Sequence, residues 1–129
     1  HMLTTRRPLR VAVLCSRRAP GLLHLLRQDP HHGRSYRIVC AITSEPECAE
    51  AAAIEAAGVP LVGHPIAAFY RARGSASVYR DIAARQAYDR ETAAMLERFR
   101  PDLVLLDGYL YLLTPPMLEA YRNRLINLH

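Results

Sequence analysis

Only a few residues in this chain have types and spacings that could do chemistry. Asn127 and His129 stand two apart at the end of an apolar run, so on a strand both side chains point to one side. Read alone, that pair is a polar strand end. Arg17 and Arg18 follow the first strand-like run and could hold an anion through their side chains. Cys15, Cys40 and Cys48 show neither CxxC pairing nor a histidine spacing suited to zinc. Cys15 and Cys40 lie inside apolar runs and read as small core residues. The 6 histidines, His24, His31, His32 and His64 among them, show no metal spacing, and no metal is expected. No Gly-x-Gly-x-x-Gly follows the first strand, which argues against a dinucleotide-binding domain.

The elements that must position these residues follow from pattern. Leu9–Cys15 is short, apolar and β-branched, and reads as a buried strand. A turn over Ser16–Gly21 leads to leucines at helical spacing (Leu22, Leu23, Leu25, Leu26), which the Asp29–Gly33 breakers end. Tyr36–Ile42 is a second buried strand. A helix is expected to start at Ser44–Glu47 and run to Ala57, with Gly58 as its C-cap. Val59–Val62 reads as a third strand, Gly63 to about Gly74 as a loop, and Ser77–Phe99 as one long helix stopped by Pro101. Leu103–Leu106 is a fourth strand and Asp107-Gly108 a turn. Pro115-Pro116 opens a short helix, and Leu125 starts a fifth strand. Strand and helix alternate throughout, so the fold class is α/β: a Rossmann-like, mostly parallel sheet with helices on both faces. In such sheets ligands bind beyond the carboxyl ends of the strands. The segments to read for chemistry are therefore Ser16–Gly21, Ile42–Glu45, Asp107–Thr114 and Asn127–His129.

Composition narrows the class. The chain has 129 residues, half of them apolar, enough for one core. No run approaches the ~18–20 apolar residues of a membrane span. Arg6, Arg7 and Pro8 lead into a strand-like run, not a signal peptide, and a cytoplasmic location is expected. His1-Met2 is read as a cloning scar and set aside. The net charge is +5, but the arginines are spread with no run above two. That pattern fits a solvated basic surface, and nucleic acid is not expected as a partner.

Three stretches, correctly ordered and spaced, carry a resemblance that extends from Val11 to the end. Ala84–Glu91 reads A-R-Q-A-Y-D-R-E, Pro101–Leu113 reads P-D-L-V-L-L-D-G-Y-L-Y-L-L, and Arg124–His129 reads R-L-I-N-L-H. The chain resembles the folate-dependent glycinamide ribonucleotide formyltransferase family, and more broadly the methionyl-tRNA formyltransferase relatives. The resemblance implies a formyl transfer from 10-formyltetrahydrofolate, as co-substrate, to a small-molecule amine, phosphorylated or nucleotide-linked. It makes Asn127 and His129 two of three catalytic residues. An asparagine amide can donate to the oxyanion of the tetrahedral intermediate, and an imidazole can shuttle the proton between nitrogens. Leu106, Tyr109, Leu110, Tyr111, Leu112 and Leu113 are then expected around the pterin, although Leu106 and Leu113 are read equally well as core. Arg85 matches a family arginine near the ligands. Ser16, Arg17, Arg18 and Gly21 fall where the family binds its acceptor.

Two departures from the family's pattern stand out, the first bearing on the acceptor and the second on folate recognition. The family carries Ser-Gly-x-Gly-Ser-Asn-Leu after the first strand, whose backbone N–H groups hold a ribonucleotide phosphate. Here the place reads Ser16-Arg17-Arg18-Ala19-Pro20-Gly21-Leu22, in which Pro20 has no N–H. A different amine is therefore expected: an amino sugar nucleotide, an amino acid derivative or an aminoacyl-tRNA. Asp107-Gly108-Tyr109-Leu110-Tyr111 replaces the family's Ala-Gly-Phe-Met-Arg, with Asp107 read as a turn residue. The family's third catalytic residue, an aspartate, is expected beyond residue 129, which makes residues 3–129 the first part of a family domain. The alternative to an enzyme is a formyltransferase-like module that binds ligand without turnover.

Overall fold

A computed structural model describes residues 7–128. Five strands, β1 (Leu9–Cys15), β2 (Tyr36–Thr43), β3 (Leu61–Gly63), β4 (Leu103–Asp107) and β5 (Leu125–Leu128), form one sheet in the order β3-β2-β1-β4-β5. Every pairing is parallel. The chain winds outward from β1 to β3, then returns to place β4 on the other side of β1. The order reverses between β1 and β4, so their carboxyl ends open the crevice where doubly wound sheets take ligands. Cys15 pairs with Asp107 at that point, and Leu106 pairs with Asn127 one strand further on.

Helices α1 (Pro20–Gln28), α2 (Ala51–Ala56), α3 (Ile66–Ala72), α4 (Ile82–Glu97) and α5 (Pro115–Ala120) cover the sheet. Alternation along β1 sorts its side chains between two cores. Val11, Val13 and Cys15 pack with Leu22 of α1 and Ile54 of α2. Ala12 and Leu14 face the other way, against Leu96 of α4 and Met117 of α5. Since β1 is covered on both faces, it needs a continuous apolar run rather than alternation. A third cluster joins Ile66 and Tyr70 of α3 to Ala84 and Tyr88 of α4.

The structure departs from the sequence reading at three of the helices. The expected loop after Gly63 contains α3, whose apolar positions Ile66 and Tyr70 are too few to show a period but are buried against α4. Helix α2 begins at Ala51, not near Ser44, because Ser44–Glu50 is drawn along the carboxyl edge of the sheet. There the N–H of Ser44 donates to the carbonyl of Cys15 and that of Ala49 to the carbonyl of Arg17. Helix α4 starts at Ile82, where the Asp81 side chain caps it by accepting from the N–H of Ala84. Gly58, expected as a C-cap, has φ +84°, the left-handed conformation that favours glycine there. No helix among the described residues is long and apolar enough to cross a membrane.

Candidate active site

Two of the clefts at the carboxyl edge of the sheet are lined by segments read for chemistry. The first, of about 460 Å³, lies between the loop after β4 and strand β5. Leu106, Tyr109, Leu110, Tyr111, Leu112, Leu113, Leu118, Leu125 and Asn127 line it. Sequence reasoning had singled out seven of these nine, missing Leu118 on α5 and Leu125 at the start of β5. Neither belongs to a motif; only the pairing of β5 beside β4 brings them in. Leu110 and Leu112 are 55% and 89% exposed, so the loop shows an apolar surface that its own fold leaves uncovered. Leu106 and Leu113 do both things expected of them: they pack on the Leu14–Met117 core and also line the cleft. Asn127 is exposed at the rim. His129 lies outside the described residues.

The loop is held rigidly from beneath. Asp89 on α4 is fully buried and accepts from the N–H (2.7 Å) and hydroxyl (2.6 Å) of Thr114. Arg85, one turn earlier, donates from Nη2 to the carbonyl of Leu112 at 2.9 Å. Its Nη1 stands 2.9 Å from Asp89 Oδ1, an ion pair whose angle is poor for a hydrogen bond. Burial works against the Arg85 charge, but Asp89, with Tyr109 and Tyr70, more than offsets it and raises the guanidinium pKa above its ordinary value. The guanidinium also lies over the rings of Tyr88 and Tyr111, at 5.3 and 5.7 Å. Arg85 is thus committed to the underside of the loop, 7% exposed, and does not line the cleft. Held this way, the loop leaves the N–H groups of Tyr111 and Leu113 without a partner among the described residues. Free backbone donors beside exposed leucines suit a flat heteroaromatic ring with polar edges.

The second cleft, of about 540 Å³, is lined by Arg17, Glu45, Pro46, Glu47, Cys48 and Ala49. Tyr111 joins the two clefts: its ring lines the first and its hydroxyl donates to Glu45 Oε1 at 3.2 Å. Burial, reinforced by Glu45, pushes the Tyr111 phenol up to about 12, so it stays a donor at neutral pH. Arg17 stands 3.9 Å from the same carboxylate and Arg18 stands 3.7 Å from Glu50. Ser16 is fully buried; its hydroxyl shares a 2.7 Å hydrogen bond with Ser44 and accepts from the N–H of Leu110. It ties together the loops after β1, β2 and β4 and lines neither cleft.

Asp107, expected as a turn residue, is instead the last residue of β4, 5% exposed, and Oδ2 accepts from the N–H of Leu22 in the first turn of α1 at 2.8 Å. Gly21 makes this possible, since a Cβ there would sit 2.9 Å from Asp107 Oδ1. The following Gly108 has φ +65°, and a Cβ on it would meet the Arg18 carbonyl at 3.1 Å.

Fold and clefts place the chain among α/β proteins that bind ligands where strand order reverses. A family model described as formyl transferase matches residues 9–129, and the chain belongs to that family. It is 30% identical over 132 residues to the trifunctional purine biosynthetic protein adenosine-3 of Drosophila melanogaster, covering 99% of this chain and 9% of that one. Over 46 residues it is 39% identical to phosphoribosylglycinamide formyltransferase of Escherichia coli K12, 36% of this chain and 22% of that one. The crystal structure of glycinamide ribonucleotide transformylase 1 from Symbiobacterium toebii superposes with a TM-score of 0.73 at 27% identity, over 93% of this chain and 50% of that one. The chain thus spans about half the length of this solved relative and smaller shares of the curated ones.

Proposed function

We propose that this chain supplies the donor-binding side of an enzyme that moves a formyl group from 10-formyltetrahydrofolate to an amine. The observation that carries the reading is the first cleft, where exposed leucines and unpartnered N–H groups on a clamped loop face Asn127 across β4 and β5. Family membership agrees with it, and two of the three relatives named above are called a formyltransferase and a transformylase. In the reaction, the amine nitrogen bonds to the formyl carbon and the bond from that carbon to the folate nitrogen breaks. The proton lost by the amine ends on the folate nitrogen. The Asn127 amide donates to the formyl oxygen as it becomes an oxyanion. The resemblance gives His129 the proton transfer. Residues 3–129 would then form the first part of a Rossmann-like domain, with the acceptor entering through the Arg17–Ala49 cleft. Ser16 and Arg85 serve this site as positioning residues, and Arg17 borders the acceptor.

Calorimetric titration of the full-length protein with a stable 5,8-dideaza analogue of the donor tests the reading. Saturable binding is expected, and Leu112→Asp should abolish it. Because Leu112 is 89% exposed, that change does not disturb the core, which circular dichroism would verify. Absence of binding by folded protein, or binding indifferent to Leu112→Asp, would sink the proposal.

A further inference from the structure

A helix start normally leaves its first N–H groups free, and with the helix dipole this makes a ready anion site. Helix α1 opens at the carboxyl edge of the sheet, beside the second cleft, where such a site would meet an incoming acceptor. In this chain two of these donors, the N–H groups of Ala19 and Leu22, are already engaged by carboxylates. The N–H of Ala19, the N-cap, donates to Glu50 Oε1 at 2.6 Å. Pro20 has none. The N–H of Leu22 donates to Asp107 Oδ2, and the same carboxylate lies against Gly21, where a Cβ would stand 2.9 Å from Oδ1. Two carboxylates of the protein thus sit where an external anion would sit, and one of them is buried. The nearby cations are matched as well, Arg17 with Glu45 and Arg18 with Glu50.

We propose that Asp107 is a specificity determinant: its carboxylate stands in for a phosphate at the α1 N-terminus, so the acceptor of this enzyme carries no phosphate there. A phosphate entering would have to displace one carboxylate from its N–H and sit beside the other, and like charges at such range repel strongly. In the adjoining cleft Arg17 offsets Glu45, and Glu47 leaves the lining net negative, so the acceptor that fits is an uncharged or cationic amine. The word acceptor rests on the formyl-transfer reading; the exclusion of phosphate does not.

The test is titration of inorganic phosphate into the full chain, followed by phosphorus NMR, with Asp107→Ala, Asp107→Asn and wild type compared at one ionic strength. Wild type is expected to show no saturable binding. Asp107→Ala, which frees the Leu22 N–H and removes the charge, should bind phosphate saturably, at least about tenfold more tightly than the weakest binding the titration can detect. Asp107→Asn keeps an acceptor for Leu22, so it folds even where alanine does not, and should show a smaller gain. Saturable phosphate binding by wild type, or no gain in whichever variants fold, would overturn the inference. Folate-analogue binding, measured on the same samples, reports separately on the formyl-transfer reading.

Discussion

Removing Arg85 should unfasten the loop after β4 and destabilise the whole domain. Its partner Asp89 is fully buried; with the guanidinium gone, that carboxylate keeps only the Thr114 N–H and hydroxyl. Breaking a buried pair by removing one partner typically costs about 3–5 kcal/mol, because the other charge is left uncompensated. The carbonyl of Leu112 loses its donor as well. For a domain of this size, 3–5 kcal/mol lowers Tm by roughly 11–18 °C. The control is the double variant Arg85→Met, Asp89→Asn, which removes both charges and keeps an acceptor for Thr114. If charge is the cause, the double variant should be more stable than Arg85→Ala despite carrying two changes. Denaturant unfolding measures both, and analogue titration should show weakened binding for Arg85→Ala even well below its Tm. An Arg85→Ala protein within two or three degrees of wild type would refute the reasoning, as would a double variant less stable than the single one.

Three further outcomes follow from the geometry. His64 is buried, and burial, with Arg85 acting in the same sense and Glu91 and Asp89 opposing, holds its pKa below the ordinary 6.5. The unfolded chain therefore takes up this proton first. The contribution is complete above pH 6.5 and is lost as pH falls from there through the folded value. The unfolding free energy should fall over that window more steeply in wild type than in His64→Gln, and equal slopes would exclude His64 as the source. Gly108→Ala places a Cβ at φ +65° and 3.1 Å from a carbonyl oxygen, and should cost at least about 1–2 kcal/mol in urea melts; a neutral result would show that the turn can relax. Asn127→Ala should lower kcat for donor consumption by roughly 10²–10³ with little change in donor KM, whereas unchanged kcat contradicts an oxyanion role.

The fold was legible because its central strands are buried on both faces and therefore written as unbroken apolar runs, from Leu9 to Cys15 and from Leu103 to Leu106. Helix α3 was not, since seven residues with two buried positions leave no measurable period. The cleft residues of the loop after β4 could be read from their motif, but Leu118 and Leu125 join them only through the placing of α5 and β5. Arg85 matched a motif without revealing which way it points, and its partner Asp89 settles that. Asp107 gave a signal, an acidic residue in place of the family's alanine, yet its role depends on Leu22, 85 residues away in sequence and joined to it only across the sheet. Local pattern carries no information on such a contact.

On the reading proposed here, the loop after β4 and strand β5 form the donor site. Hydrogen exchange on the full-length protein, with and without the dideaza analogue, addresses it at the level of single amides. The N–H groups of Tyr111 and Leu113, which have no partner among the described residues, should become protected together with those of Leu125–Leu128. Protection confined to the Arg17–Ala49 cleft, or no change at Tyr111 and Leu113 under saturating analogue, would contradict it.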